Sequence, residues 1–218
     1  MPCRIDLHTH TYASGDSTTT VEEFVEATGR LSVVAVTDHN EIGVALEIGQ
    51  ALSIPVIVGE EVSTADGDLI GLFLHQRIPK GWDAARTASA IREQGGLVYA
   101  PHPFDRRRRS LDLAALTALA GAGLIDIVEV ANSKQPAFNA KAAAAARRLA
   151  LPAAAGSDAH VPAAIGSSFV EVDRETDAAT SPAALVSALT GGKVRWSRCD
   201  PARPYASRVV PGIRRDQG

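Results

Sequence analysis

The chain has 218 residues, 45% hydrophobic and 22% charged, with a formal net charge of −3 and two cysteines. That length supports one large α/β domain with a sizeable core. The charge excludes a nucleic-acid binder held by global attraction, and Cys3 and Cys199, in no CxxC pattern, exclude a disulfide framework.

No apolar run approaches the ~18 residues needed to span a bilayer. The start, MPCRIDLHTH, lacks the apolar core of a signal peptide. A cytoplasmic protein that contacts no membrane is expected.

Along the chain, strand and helix signals alternate. Strand CRIDLH leads into the loop THTYASGDSTTT and the helix VEEFVEATGR, where Thr20 and Glu23 have the spacing of a capping box. Strand SVVAVTD and helix EIGVALEIGQAL follow. Strand PVIVGEEVST then turns at Ala65-Asp66-Gly67 into DLIGLFL. Trp82 to Gln94 reads as a helix stopped by Gly95-Gly96. Strand LVYA precedes HPFD and the run Arg106 to Arg109. Leu111 to Ala120 is helical, DIVEVAN a strand and Ala137 to Leu151 an Ala-rich helix. PAAAGSDAH is a strand with its loop, SSFVEV another strand, Pro182 to Leu189 a short helix and KVRW an edge strand. Residues 1–199 read as one domain, and 200–218 as a tail without periodicity, expected to fray. Repeated β-then-α units imply a largely parallel sheet, with no nucleotide-binding glycine loop.

Five of the six histidines lie in acidic-histidine motifs that each follow one of these strands: DLHTH, TDHN, APHPF and GSDAH. Ligand-type residues at several strand ends favour a closed barrel, whose mouth gathers them, over an open sheet. Imidazoles and carboxylates gathered there are ligands of first-row metals. His8 and His10 alternate along a strand and face one way, as do Asp158 and His160. His39 is a candidate ligand, with Asp38 either orienting a ring or capping the next helix. Glu60 and Glu61 point to opposite sides, so one faces the site. Asp16 is either a turn residue or a ligand, and Asp68 either a hairpin residue or an oxygen ligand. His102 is held stiffly between Pro101 and Pro103. Glu129 and Asn132 can bond ligands or substrate. Of the arginine run, Arg106 and Arg107 are candidates to clamp a phosphate by bidentate bonds, the alternative being a solvated loop. His75, on the far end of its strand, reads as a surface residue.

As a set, HTH with the later Asp16, TDHN, GEEVS, APHPF and GSDAH resemble the PHP superfamily, named for polymerase and histidinol phosphatase domains, over residues 1 to 175. The resemblance implies a distorted (β/α)7 barrel with two or three divalent metals, Mn, Fe or Zn. It implies that His8, His10, Glu61 and Asp158 hold one metal, that Glu61 bridges to a second completed by His102, and that Asp16, His39 and His160 hold a third. Many members carry a histidine where this chain has Asp68, which bears on the second metal. The function implied is a freestanding metal-dependent phosphoesterase, using a metal-bridging hydroxide on a small phosphomonoester or a nucleotide, including nucleoside bisphosphates. Asp158 and His160 are candidates to assist proton transfer. Rival readings are an exonuclease-like phosphodiesterase acting on short oligonucleotides, an amide or lactone metallohydrolase, and a metal-binding regulatory module without turnover. Oligomeric state leaves no sequence signal.

Overall fold

The structure, a computed structural model, describes residues 2–172 and 177–199. The expected tail, 200–218, lies outside the described residues. Helix starts follow local chemistry. The Thr20 hydroxyl accepts the Glu23 N–H, and the Glu23 carboxylate accepts the Thr20 N–H at 3.1 Å, completing the capping box of α1 (Val21–Ala27). Asp83, Asp112 and Ser181 cap α3 (Ala84–Glu93), α4 (Leu113–Gly121) and α6 (Pro182–Gly191) in the simpler way, each accepting one backbone N–H of the first turn. At α2 (Gly43–Ala51) the Glu41 carboxylate accepts the N–H groups of Ile42 and Gly43 at 2.8 Å, so Asp38 is not that helix's cap. The Ala-rich stretch is α5 (Asn139–Leu149). No helix among the described residues is long and apolar enough to cross a membrane.

Strands β1 (Cys3–Asp6), β2 (Val33–Val36), β3 (Val56–Ser63), β4 (Asp68–Leu72), β5 (Leu97–Ala100), β6 (Ile127–Asn132), β7 (Ala153–Gly156), β8 (Ser168–Val172) and β9 (Lys193–Trp196) form one sheet. Its order is β7-β6-β5-β4-β3-β2-β1-β8-β9. The pairs β1–β2, β2–β3, β5–β6 and β6–β7 are parallel, as β-then-α units require. The largely parallel expectation fails at β4, which is antiparallel to both neighbours. The Ala65-Asp66-Gly67 turn makes β3 and β4 a hairpin with no crossover helix, so the chain must reverse. The pairs β1–β8 and β8–β9 are also antiparallel, so half of the eight pairs depart from the expectation, and β9 lies at the sheet edge as expected.

Alternation along the strands separates an inner core from two outer ones, of which one, with Val62, Leu69, Val98 and Val128, lies under α3, α4 and α5. Ile5, Val33, Ala35, Ile57, Ile70, Tyr99, Ile127 and Ala154 point inward and pack on one another. Val34, Val36, Val56 and Val58 point outward against α1 and α2. The sheet thus curls into a nearly closed barrel, and β1 supplies the seam. One edge of β1 bonds β2. The other is shared: Cys3 to Ile5 pair with β8, and the chain beyond bonds the continuation of β7. There the Leu7 N–H reaches Ala155 O (3.2 Å), the Asp158 N–H reaches His8 O (2.8 Å) and the His10 N–H reaches Ala159 O (3.0 Å).

Asp6 fastens this junction. Its carboxylate is buried and accepts the backbone N–H groups of His8 (3.3 Å), Ser157 (2.9 Å) and Gly166 (2.9 Å). Burial raises its pKa to about 6 against the pull of those donors. Asp6→Ala leaves these donors without an acceptor in a dry site, so it should lower unfolding stability by about 3 kcal/mol. Urea denaturation measures this, and an unchanged midpoint would rule out the seam role.

Candidate metal centre

All the expected ligand-type side chains sit at one mouth of the barrel. His8 and His10 follow β1, His39 follows β2, His102 follows β5, and Asp158 and His160 follow β7. Glu61 lies in β3. Asp68 opens β4 and still reaches the same mouth, because β4 runs antiparallel to its neighbours and so starts where they end. Glu60 points the other way and accepts the Ile78 N–H at 2.7 Å, so alternation assigns Glu61 to the site. His75 is exposed, outside the cluster.

Glu61 is the hub. Its Oε2 lies 3.2 Å from His8 Nε2, His10 Nε2 and His39 Nδ1, and its Oε1 lies 2.9 Å from His102 Nε2. The Nε2 atoms of His8 and His10 are 3.0 Å apart. Asp158 Oδ1 is 3.5 Å from His10 Nε2 and 3.8 Å from His8 Nε2. Asp16 Oδ2 is 3.0 Å from His160 Nε2 and 3.7 Å from His39 Nε2. Overlapping triads result: His8-His10-Glu61, His8-His102-Asp158, Glu61-Asp68-His102 and His10-His39-His160, each with ligand atoms within 4.8 Å of one another.

A supporting layer aims these rings. Glu129 Oε1 meets His8 Nδ1 at 3.0 Å and accepts the Tyr99 hydroxyl at 3.0 Å, while Oε2 accepts the His102 backbone N–H. Ser14 Oγ meets His10 Nδ1 at 2.8 Å and donates to Asp38 Oδ1 at 2.7 Å. Asp38 therefore orients a ring through Ser14, while also accepting the Thr11 N–H and hydroxyl. His102 Nδ1 meets Ser110 Oγ at 2.9 Å, and His160 Nδ1 meets Asp158 O at 2.9 Å. With Nδ1 engaged outward in each ring, Nε2 is the nitrogen presented inward. His39 differs, with Nδ1 toward Glu61 and Nε2 toward Asp16. Gly156 is needed by space: a Cβ there would lie 2.2 Å from His8 Cβ and 2.5 Å from Glu129 Oε1. His102 and Asp158 hold left-handed backbone, φ 27° and 52°, strain of the kind concentrated at functional sites.

Electrostatics within the cluster are opposed. Burial disfavours charge on His8, yet Glu129 and Glu61 outweigh it and raise its pKa to about 9. His39 likewise loses solvation but is raised to about 9 by Glu61 and Asp16. Burial and the neighbouring His160 and His39 hold His10 well below the usual imidazole range. Burial lowers His160 to about 4. Glu61 is held well below the carboxylate range: burial opposes this, but His39 and His8 dominate. Burial and then Glu61 raise Asp68 to about 7.

Beyond these residues the picture differs from the expectation. Arg106 and Arg107, the expected phosphate clamp, are exposed, and their guanidinium groups make no hydrogen bond or ion pair among the described residues. Arg108 reaches the site instead, pairing with Asp158 and with Asp105 at 2.8 Å. Arg109 Nε lies 3.6 Å from Asp68 Oδ1. Asn132, expected to meet substrate, is buried and occupied internally: Nδ2 donates to Glu129 and Asp158, and Oδ1 accepts from Arg108, Lys134 and Gln135. Lys134 was not singled out from the sequence, since it lies in no histidine motif. Its Nζ is 3.1 Å from His160 Nδ1 and 3.6 Å from Asp158 Oδ1, and burial and then Arg108 lower its pKa to about 8.

A strand-end cluster of imidazoles and carboxylates in a nearly closed β/α barrel defines a metal-site barrel protein. A family model described as PHP-associated matches residues 136–194. An uncharacterized protein of Methanocaldococcus jannaschii is 35% identical over 175 residues, covering 77% of this chain and 70% of that protein. A second from the same organism is 37% identical over 116 residues, covering 46% of this chain and 68% of the relative. Among solved structures, a two-domain protein of Bacteroides vulgatus, described as containing a predicted PHP-like metal-dependent phosphoesterase, superposes with a TM-score of 0.72 at 20% identity over 90% of this chain. This chain spans 65% of that protein's length. The chain belongs to the PHP superfamily.

Replacing Glu129 by Gln removes the charge that fixes His8 while keeping the shape. Affinity for Mn²⁺ should fall about 10–100-fold. Calorimetric titration with Mn²⁺ checks this, and wild-type affinity in Glu129→Gln would show that His8 needs no such support.

Proposed function

We propose that the protein is a metal-dependent phosphoesterase acting on a small phosphomonoester or nucleotide. The observation that carries this reading is the convergence on Glu61 of His8, His10, His39 and His102, with Asp158 beside them. The donors fit divalent cations chemically, since imidazole and carboxylate together suit Mn, Fe or Zn. A buried Asp68 Oδ1 without a hydrogen-bond partner also fits a cation. His8, His10, Glu61 and Asp158 would hold one ion, Glu61, Asp68 and His102 a second, and Asp16, His39 and His160 a third. Bound cations would supply a water acidified toward neutrality and charge neutralisation on phosphoryl oxygens.

The chain's own groups do the rest. Nδ1 contacts to Glu129, Ser14 and Ser110 keep His8, His10 and His102 aimed inward. With a pKa near 4, His160 stays neutral at pH 7, which suits a ligand better than a general acid. Arg108, seated on Asp105, Asp158 and Asn132, brings a fixed guanidinium to the rim, where a remaining Nη–H and its positive charge can meet a nonbridging phosphate oxygen. Two of the four consecutive arginines thus stay in solvent and one takes the role assigned to the run.

The test is phosphate release by Mn²⁺-loaded protein from monoesters, nucleoside bisphosphates, dinucleotides and short oligonucleotides, with a chelated control. Chelator-sensitive release is expected, best on a monoester or mononucleotide, and Glu61→Gln should lower it at least about 100-fold. Best release from oligonucleotides would replace the monoester reading by an exonuclease. Full metal loading with no release on any substrate would overturn the enzyme reading in favour of a regulatory module.

A further inference from the structure

Lys134 stands two residues beyond the end of β6, at the mouth of the centre. Its Nζ is nearly equidistant from the two ring nitrogens of His160, at 3.1 and 3.2 Å. That places the ammonium beside the ring face, not along either in-plane lone pair. Both nitrogens also have other neighbours, Asp158 O at 2.9 Å and Asp16 Oδ2 at 3.0 Å. The ammonium is therefore held next to the cluster without serving as an obligatory partner of His160, and its side chain keeps 30% of its surface open.

Its placement is shared with Arg108. Asn132 Oδ1 accepts both the Lys134 backbone N–H (3.1 Å) and Arg108 Nη2 (3.3 Å). Asp158 lies between the two cations, Oδ2 on Arg108 and Oδ1 3.6 Å from Lys134 Nζ. Asn132 Nδ2 in turn donates to Asp158 Oδ2 at 3.2 Å. Asn132 thus anchors the Arg108 guanidinium and the Lys134 backbone, and buried Asp158 lies between the guanidinium and the ammonium on the rim.

We propose that Lys134 and Arg108 form a two-pronged clamp for a dianionic terminal phosphate, which makes the site selective for phosphomonoesters over phosphodiesters. The inference rests on the phosphoesterase reading above. A monoester near neutral pH carries about two negative charges and three nonbridging oxygens, enough for the guanidinium and the ammonium together. A diester offers one charge and two such oxygens, and leaves one prong without a partner.

The experiment compares Mn²⁺-loaded wild type, Lys134→Met and Lys134→Arg. Inorganic phosphate binding is measured by calorimetry, bound Mn by elemental analysis, and turnover on p-nitrophenyl phosphate and bis(p-nitrophenyl) phosphate. A charge-assisted bond is worth about 1.5–3 kcal/mol, so Lys134→Met should weaken phosphate binding and raise the monoester KM about 10–100-fold. Bound Mn should not change, the diester KM should shift far less, and Lys134→Arg should recover most of the loss. Unchanged phosphate affinity in Lys134→Met, a change in bound Mn, or equal losses on both esters would overturn the clamp while an active wild type upheld the phosphoesterase reading. A wild type that neither binds phosphate nor hydrolyses either ester would overturn both.

Discussion

Everything at the mouth of the barrel is arranged around the carboxylate of Glu61, which is buried to 1% exposure and faces four imidazoles. A carboxylate taken out of water is costly unless positive charge compensates it. Protons on His8 and His39 can compensate, and both rings are drawn up accordingly. His10, His102 and His160 are drawn down, chiefly by burial, and further by neighbouring rings at His10, by Arg108 at His102 and by Lys134 and His39 at His160. The cluster therefore combines a carboxylate that demands positive charge with rings that resist protonation and present lone pairs. A divalent cation meets both conditions at once, and its binding would release the protons held by His8 and His39.

The barrel's closure and the centre are one structure. The continuation of β1 carries His8 and His10, and the same stretch bonds the continuation of β7, which carries Asp158 and His160. Asp6 binds the N–H groups of His8 and Ser157, and so fixes both halves of the seam just below the ligands. Gly156 keeps the strands close enough for Glu129 to reach His8 across the space a Cβ would fill. Register at this junction sets the distance between the ligand pairs, so a fault in folding here would also be a fault in the site.

How much of this could be read from the residues follows from which signals are periodic. His8 with His10, and Asp158 with His160, carry the period-two spacing of a strand, and the convergence of their motifs was legible. The choice of Glu61 over Glu60 came from the family resemblance alone, because alternation separates two side chains without saying which faces inward. The arginine run has no phase either. Loop geometry decides it: Asp105 accepts the Arg107 N–H at 3.0 Å and Arg108 Nε at 2.8 Å, which turns the Arg108 side chain inward. Lys134, Ser14 and Ser110 are common residue types whose partners lie far along the chain or across a loop, so nothing local marks them. The antiparallel β4 follows from a short turn whose residues were recognised, but the strand repeat around it suggested parallel packing.

The cationic side chains are distributed with a consequence for ligand choice. Arg109 lies beside Asp68 on one flank, while Arg108 and Lys134 bracket Asp158 on the other. Carboxylates that point inward are thus matched by cations on the outer side of the ring of histidines. The chain as a whole carries −3, so long-range attraction of anions is weak, and at physiological salt exposed charges act over only about 8 Å. Discrimination must then arise at contact, from the rim. On the phosphoesterase reading, a rim that sets the Arg108 guanidinium and the Lys134 ammonium beside the histidine cluster would meet a compact, doubly charged terminal phosphate with both cations, whereas the further phosphates of a long polyanion would find no matching global charge.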